Sequence, residues 1–339
     1  MGYQARGLGN SLSLKPTFVW SRSACMTSSI PFGARATANQ VIAGVDLTRK
    51  WILVTGCNEE IGFETMNALA ANGAHVFGLA SSLASAKSAC DQIGPRATPV
   101  ECNLADVDSV VAAARMIRGL RVSLDAIIAN AEVASPPTLR TRYGVELQFL
   151  SNHIGHFSLV NQLLELVRNG TGRIVIVSSS ASIMRAPPGG IMFDNLDGHR
   201  FYDPMTFYGQ SKFAVALYAK ELSRRLHRRG IAVNSLHPGA TKGTGLRMDL
   251  FRPLRAVQQL LKSAAQRAAT GALLAASPWV TGISGEYWSD CQVAKGNPLL
   301  NDGELAQRLW QASVQIVERI TNATRIVSGC VIRREAIEH

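Results

Sequence analysis

Clustered metal ligands and redox pairs are missing from this 339-residue chain. Its six cysteines, Cys25, Cys57, Cys90, Cys102, Cys291 and Cys330, stand singly, and no Cys-x-x-Cys or His-Cys cluster offers a zinc site or a dithiol. Scattered thiols fit a reducing compartment, and a cytoplasmic protein is expected. Long hydrophobic runs are also missing. None reaches the roughly 18 residues that an integral membrane span needs. Ala264 to Trp279 comes closest, and Gln266, Arg267 and Pro278 interrupt it. There is no internal repeat and no linker. Charged residues are only 17% of the chain against 47% hydrophobic, which excludes a disordered polyelectrolyte and suits a sizeable core. The formal net charge is +11, yet no nucleic-acid-binding motif accompanies it, so no nucleic acid partner is expected. The densest basic cluster, Arg224-Arg225-Leu226-His227-Arg228-Arg229, closes a predicted helix before Gly230. Dipole complementation at a helix C-terminus is the preferred reading, and a membrane surface or partner the sharper one. Acids are absent until Asp46. The Ser-, Arg-, Gly- and Thr-rich stretch 1–40 reads either as an organelle transit peptide or as an extension upstream of a start at Met26. The second is preferred, and the stretch is expected to be poorly ordered.

What the chain does have is regular alternation. Trp51-Ile-Leu-Val-Thr55 is a short apolar run rich in β-branched residues and closed by Gly56, which predicts a buried strand. Further strands are predicted at 74–79, 98–102, 124–129, 172–177, 231–235 and 285–289. Helices are predicted at 61–72, 83–93, 106–119, about 140–168, 205–229, 261–276 and 303–320. Strand–helix alternation of this kind predicts an α/β fold, a Rossmann-like doubly wound parallel sheet in a single domain. The domain is expected over 41–325, between the 1–40 tail and a basic C-terminal tail at 326–339.

In such folds ligands bind at the carboxyl ends of the strands. Those ends read Thr55-Gly56-Cys57-Asn58-Glu59-Glu60-Ile61-Gly62, Cys102-Asn103-Leu104, Asn130-Ala131-Glu132, Ser178-Ser179-Ser180 and His237-Pro238-Gly239-Ala240-Thr241. Asn152 stands in the long middle helix. Tyr208 and Lys212 are four residues apart, so they share one helix face. An ammonium beside a phenol favours the phenolate and draws the tyrosine below its usual value of about 10. Alone, Tyr-x-x-x-Lys is a common chance spacing. In this order and spacing, the whole set resembles the short-chain dehydrogenase/reductase family. It is most similar to the retinol-dehydrogenase and WW-domain-oxidoreductase-like branch, whose usual wording Phe193-Asp-Asn-Leu196 and Tyr208-Gly-Gln-Ser-Lys212 resemble. The resemblance covers about Phe32 to Ile320.

The resemblance implies roles residue by residue. Tyr208 would be the general acid in carbonyl reduction and the base in alcohol oxidation. Ser179 would hydrogen-bond the substrate oxygen, Lys212 would acidify Tyr208 and hold the nicotinamide ribose, and Asn152 would position a water. NADP or NAD is the implied cofactor, NADP being favoured. Its cradle would be Gly56, Asn58, Ile61, Gly62, Ser81, Asn103, Leu104, Asn130, Ala131, Tyr208, Lys212, Pro238, Gly239 and Thr241. No metal is implied; His153 and His156, with no third ligand, read as packed or surface histidines. Family analogy implies a homo-oligomer through the helices around Asn152 and Tyr208. Loops near 181–204 and 240–256, the latter with Leu246, Met248, Leu250 and Phe251, suggest cover for a bulky lipophilic substrate, or simply pack themselves down.

Four positions depart from the family pattern. Glu60 stands at the middle glycine of Thr-Gly-x-x-x-Gly-x-Gly, Glu132 at the glycine of Asn-Ala-Gly, Asn103 at an aspartate, and Ser81-Ser82 where an arginine often meets the 2′-phosphate. Glu60 facing a pyrophosphate at 5 Å would cost about 3 kcal/mol, on the order of a hundredfold in affinity. Rotated outward, it would instead favour its helix N-terminus by roughly 0.3–1 kcal/mol. Two functions therefore stay open. One is an NAD(P)-dependent oxidoreductase acting on a lipophilic alcohol or carbonyl. The other is the same fold with a weakened nucleotide site, serving as a non-redox lyase, isomerase or dehydratase, or as a binding protein. A third, lesser reading is peripheral membrane attachment through Leu250 to Ala265.

Overall fold

Strands that are apolar on both faces need cover on both faces, and the strands here are of that kind. A computed structural model describes residues 30–239 and 262–335, with side chains to residue 322. Its strands are β1 (Trp51–Thr55), β2 (His75–Ala80), β3 (Ala97–Glu101), β4 (Ala126–Ala129), β5 (Thr141–Arg142), β6 (Val145–Glu146), β7 (Arg173–Val177), β8 (Ala232–His237), β9 (Tyr287–Ser289) and β10 (Gln292–Val293). Ile52, Leu53, Val54, Ile127, Ile128, Ile174 and Val233 are all buried. Eight strands form one sheet in the order β10-β9-β8-β7-β4-β1-β2-β3, and β10 alone runs antiparallel to its neighbour. β1 pairs with β2 on one side and β4 on the other. The strand order reverses there, and a crevice opens at the carboxyl ends of β1 and β4.

The flanking helices are α1 (Ala38–Val41), α2 (Glu60–Ala71), α3 (Leu83–Ile93), α4 (Val107–Gly119), α5 (His156–Leu163), α6 (Ala181–Met184), α7 (Pro204–Leu226), α8 (Ala264–Ala276) and α9 (Gly303–Glu335). Local chemistry starts them. Asp203 accepts from Thr206 N with Pro204 at the first helical position of α7, and Ser263 and Gln266 make a capping box on α8. α1, α2 and α8 pack together, while α4, α5, α7 and α9 gather at another core. The described residues from Pro31 onward belong to one compact unit.

Three regions differ from the sequence expectation. The predicted helix 140–168 begins instead with a β5–β6 hairpin, whose central Tyr143 and Gly144 have φ of +57° and +68°. Two consecutive positive φ values match the right-handed twist of a two-residue hairpin. Buried Glu146 then accepts from Phe149 N at 2.9 Å and opens a seven-residue π-helical turn, Phe149–Gly155, before α5. The N-terminal stretch is helical from Ala38, on a Thr37/Gln40 capping box. α9 continues through Glu335, past the predicted end at Ile320 and into the stretch read as a tail.

α9 also bears on assembly. Trp310 packs edge-to-face with Phe157 of α5 and tilted against Tyr218 of α7, with ring centroids 5.1 and 5.9 Å apart, and Ser313 bonds His153 at 2.8 Å. The helix face expected to meet a second copy is thus covered by the chain's own last helix. The basic cluster is absorbed locally. Arg224 and Arg225 both bond Glu221 at 2.7 Å, Arg225 sits 3.8 Å over Trp310, and Arg229 donates to the carbonyls of Leu164 and Val167. Among the described residues no helix is long and apolar enough to cross a membrane.

Candidate active site

The turn after β1 is built backbone against backbone. Gly56 has φ +69°, and a Cβ on Gly62 would lie 2.1 Å from the Gly56 carbonyl oxygen. Only glycine allows that approach. Glu60, between them, is the first residue of α2 and needs no special dihedral. Its carboxylate turns outward, 75% exposed, and pairs with Arg267 of α8, whose side chain is 7% exposed. Of the two readings of Glu60, the structure has the outward one. Ser82, Asp106, Asp203 and Ser263 cap α3, α4, α7 and α8 with their side chains. Glu59, at the N-cap of α2, makes no such bond. The first-turn N–H groups of α2 are therefore left without a side-chain cap at the crevice.

Thr55, at the end of β1, locks the next layer. Its hydroxyl accepts from the N–H groups of Asn130 (2.8 Å) and Ala131 (3.0 Å), and lies 2.8 Å from His156 Nε2. His156 Nδ1 is 2.8 Å from the Asn152 carbonyl, which can only accept. The proton is therefore on Nδ1, and Thr55 donates to Nε2. Burial holds His156 neutral, down at about 4, and His153 likewise at about 3. Asn130 Nδ2 bonds Thr55 O at 3.0 Å, so the side chain clips β4 to β1 and does not reach into the crevice. Asn152 is engaged on every side. Oδ1 accepts from Val133 N (2.7 Å), and Nδ2 donates to Val133 O and Ser211 Oγ, both at 3.0 Å. A water-holding Asn152 was expected; here its carbonyl is taken by His156, and its side chain fixes the backbone next to Glu132.

Glu132 is the centre of the cluster formed with Lys212 and Tyr208. Its Oε2 lies 2.6 Å from Lys212 Nζ and accepts from the Tyr208 hydroxyl at 3.0 Å. Lys212, 1% exposed, also donates to the carbonyl of Val177 at 3.0 Å, while Ser178 Oγ bonds the Lys212 carbonyl at 2.7 Å. These bonds pin α7 to the end of β7. Burial opposes ionisation of Glu132, but Lys212, the two hydrogen bonds and Arg267 outweigh it and hold the carboxyl below its ordinary value. Tyr208 goes the other way. Burial first, then the Glu132 carboxylate, push the phenol up, against the lowering effect of a hydrogen bond with Ser179. The sequence predicted an acidified tyrosine; the structure holds it protonated, because burial and the facing Glu132 carboxylate both oppose the phenolate. Tyr208, Ser179 and Lys212 do meet at the mouth of the sheet, as their spacing implied.

The sequence match to the short chain dehydrogenase family model covers residues 50–192 and 196–254. The chain belongs to the short-chain dehydrogenase/reductase family. It is a short-chain dehydrogenase/reductase enzyme of the retinol-dehydrogenase and WW-domain-oxidoreductase-like branch. The short-chain dehydrogenase TIC 32 B, chloroplastic, of Brassica napus is 32% identical over 307 residues, which cover 85% of this chain and 95% of that protein. Mouse retinol dehydrogenase 14 is 34% identical over 291 residues, 79% of this chain and 86% of the relative. A solved structure from Mycobacterium paratuberculosis superposes with a TM-score of 0.67 at 26% identity, covering 84% of this chain and 98% of the other.

Members of this family generally use NAD(P). The α2 end of the crevice fits an anionic group, since α2 lacks a side-chain cap and the buried Nε of Arg267 has no hydrogen-bond partner among the described residues. Asn58 and Ser81 are exposed, Ile61 is half-buried, and Pro238 and Gly239 stand past β8. Asn103 Oδ1 accepts from Ala105 N at 3.1 Å, and buried Leu104 abuts Gly155. Thr241 and the loop with Leu246, Met248, Leu250 and Phe251 lie outside the described residues, as does most of Leu250–Ala265. The Phe193–Leu196 segment does not line the Tyr208 site: Phe193 lies under Arg308 at 4.0 Å, and Asn195 folds back on Arg200 N and Phe201 O. Sequence reasoning missed the bond of Glu132 to Lys212 and Tyr208, the role of Arg267, and Glu59. Arg267 carries no local motif and lies 207 residues from Glu60. Glu59 was legible only as one more acid in the turn.

Glu59 gives a test of crowding in the crevice. Although its surface is open to solvent, burial of the carboxyl and the facing Glu132 push it up to about 7 from an ordinary 4.5, with Lys212 opposing. A raised carboxyl leaves stability intact below pH 4.5 and erodes it as pH rises from there through 7. Glu59→Gln is expected to melt at a higher temperature than the natural protein at pH 8 and at the same temperature at pH 4. Equal shifts at both pH values, by scanning calorimetry, would exclude the repulsion.

Proposed function

We propose that this enzyme is an NAD(P)-dependent oxidoreductase that interconverts a lipophilic alcohol and its aldehyde or ketone, with Tyr208 as the acid/base group. One observation carries the reading: the Tyr208 hydroxyl, the Ser179 hydroxyl and the Lys212 ammonium converge at the carboxyl end of β7. The nicotinamide, when bound, supplies or accepts the hydride. In carbonyl reduction Tyr208 gives its proton to the substrate oxygen, and Ser179 donates a hydrogen bond to that oxygen as negative charge grows on it. A phenol kept protonated suits that direction. In alcohol oxidation Tyr208 must first lose its proton, and the carboxylate it touches is Glu132. Gly56, Asn58, Ile61 and Gly62 would hold the pyrophosphate, Ser81 the adenosine ribose, Asn103 and Leu104 the adenine, and Ala131, Tyr208 and Lys212 the nicotinamide ribose, with Pro238, Gly239 and Thr241 beside the nicotinamide. NADP is favoured because no acid follows β2 at Ser81-Ser82 to repel a 2′-phosphate. Ile183 and Met184, 42% and 69% exposed just after Ser179, offer an apolar surface to a lipophilic substrate. Cys57, Cys90, Cys102 and Cys291 are free and buried, which supports a cytoplasmic setting.

Turnover with NADPH or NADH across a panel of medium- and long-chain aldehydes and ketones is expected. No turnover with either nucleotide would overturn the reading. The contact of Glu132 with both Lys212 and Tyr208 favours a second reading, non-redox proton transfer or binding with a weakened nucleotide site. NADPH titration against protein fluorescence separates the two, comparing the natural protein with Glu60→Gly/Glu132→Gly. Micromolar binding that the double change does not improve sinks the second reading.

A further inference from the structure

Arg267 is the least explained charged residue of the crevice. It lies in the first turn of α8 and is 6% exposed. A guanidinium so buried needs its N–H groups satisfied. Its Nη2 bonds the Glu60 carboxylate, yet its Nε, equally buried, has no partner among the described residues. Glu60 is a poor reason to bury a cation, since its own side chain is three-quarters exposed. The arginine's charge reaches farther in, where it helps to hold Glu132 ionised. Beside it, the twelve-residue α2 begins with no side-chain cap. An uncapped helix N-terminus and a half-satisfied buried guanidinium lack the same thing, an anion with several acceptor oxygens.

We propose that Arg267 and the first turn of α2 together form a binding site for the pyrophosphate of a dinucleotide, with Glu60 holding the guanidinium in place until the ligand takes over. The site rests on the nucleotide reading above and adds to it a cation supplied by α8. Glu60 stands where the family pattern has glycine, so the carboxylate and the arginine answer each other. Bound pyrophosphate oxygens accept from Arg267 and from the α2 amides, while the exposed Glu60 swings to solvent.

The test is a double-mutant cycle in the full chain, with Glu60→Gln, Arg267→Gln and both together. The probes are NADPH and NADH by fluorescence quenching and inorganic pyrophosphate by titration calorimetry. Glu60→Gln is expected to tighten binding several-fold, because a competing anion is gone. Arg267→Gln is expected to weaken it about tenfold or more, the range of a charge-assisted hydrogen bond. The double variant should stay about tenfold weaker than Glu60→Gln alone, because Arg267 touches the ligand itself. Equal affinity of the double variant and Glu60→Gln would overturn the site, leaving Arg267 as a counter-ion only. So would unchanged affinity in Glu60→Gln, whose exposed side chain makes misfolding no explanation. Arg267→Lys, matched in melting temperature, should recover part of the lost affinity, and no recovery counts against a charge contact. Arg267-dependent binding of pyrophosphate without binding of NADPH or NADH would keep the site and sink the nucleotide reading. NADPH binding indifferent to Arg267 would do the reverse, and no binding of any probe would sink both.

Discussion

Tyr208→Phe is expected to lower kcat about a thousandfold, within the range that a positioned acid/base group supplies. Melting temperature should hardly move. The ring stays packed, because only the hydroxyl is removed, and that hydroxyl bonds Glu132 at 3.0 Å and meets Ser179. Glu132 keeps Lys212, so no charge is stranded. The loss should fall mainly on kcat, because the phenol acts on the proton of the reacting oxygen, whereas its contact with the nicotinamide ribose is one of several that would hold the nucleotide. Stopped-flow turnover at saturating NADPH reads this directly. A variant that keeps more than a tenth of the activity removes Tyr208 from the chemistry, and the functional reading with it.

Lys212→Met should be the most damaging single change to stability at the site. The ammonium is 1% exposed, and it anchors a carboxylate that is itself only 27% exposed. Taking away one partner of such a pair leaves the other charge buried, at a cost of about 3–5 kcal/mol. The pH dependence has a definite sign. Glu132 is held below its ordinary value. Its contribution is therefore present above the ordinary carboxyl value of 4.5 and disappears as pH falls through the lowered folded value. The gap between natural protein and Lys212→Met should shrink across that window. Lys212→Met/Glu132→Leu removes both charges, and stability should return to within about 1 kcal/mol, since two apolar groups replace a buried pair at little cost. Activity should not return, because the ammonium beside Tyr208 is gone. Urea titrations of the three proteins decide it. A single variant as stable as the natural protein would mean that the pair does not hold α7 to the end of β4.

Strands β1, β2, β4, β7 and β8 were legible because each is buried on both faces, so the sequence had to be apolar throughout. The hairpin at Thr141–Glu146 was not legible, because it depends on Glu146 capping the next turn from a buried position. No hydrophobic period records that. The four family residues Asn152, Ser179, Tyr208 and Lys212 were found through the family resemblance, which could not show their partners. Asn152 turned out to brace Val133, and Lys212 to hold a carboxylate.

Sequence alone determined the layered α/β architecture, the placing of a tyrosine and a lysine on one helix turn, and the tight glycine turn after β1. Each is a local matter of period, spacing or backbone room. Tertiary structure alone decided where the charges point. It paired Glu60 with Arg267 across 207 residues, gave Lys212 to Glu132, and buried Tyr208 beside that carboxylate, raising the phenol that the helix spacing by itself would have lowered. The reason is physical: a covalent neighbour is fixed by the chain, whereas an electrostatic neighbour is fixed by what folding brings within a few ångströms, in a place from which water has been removed.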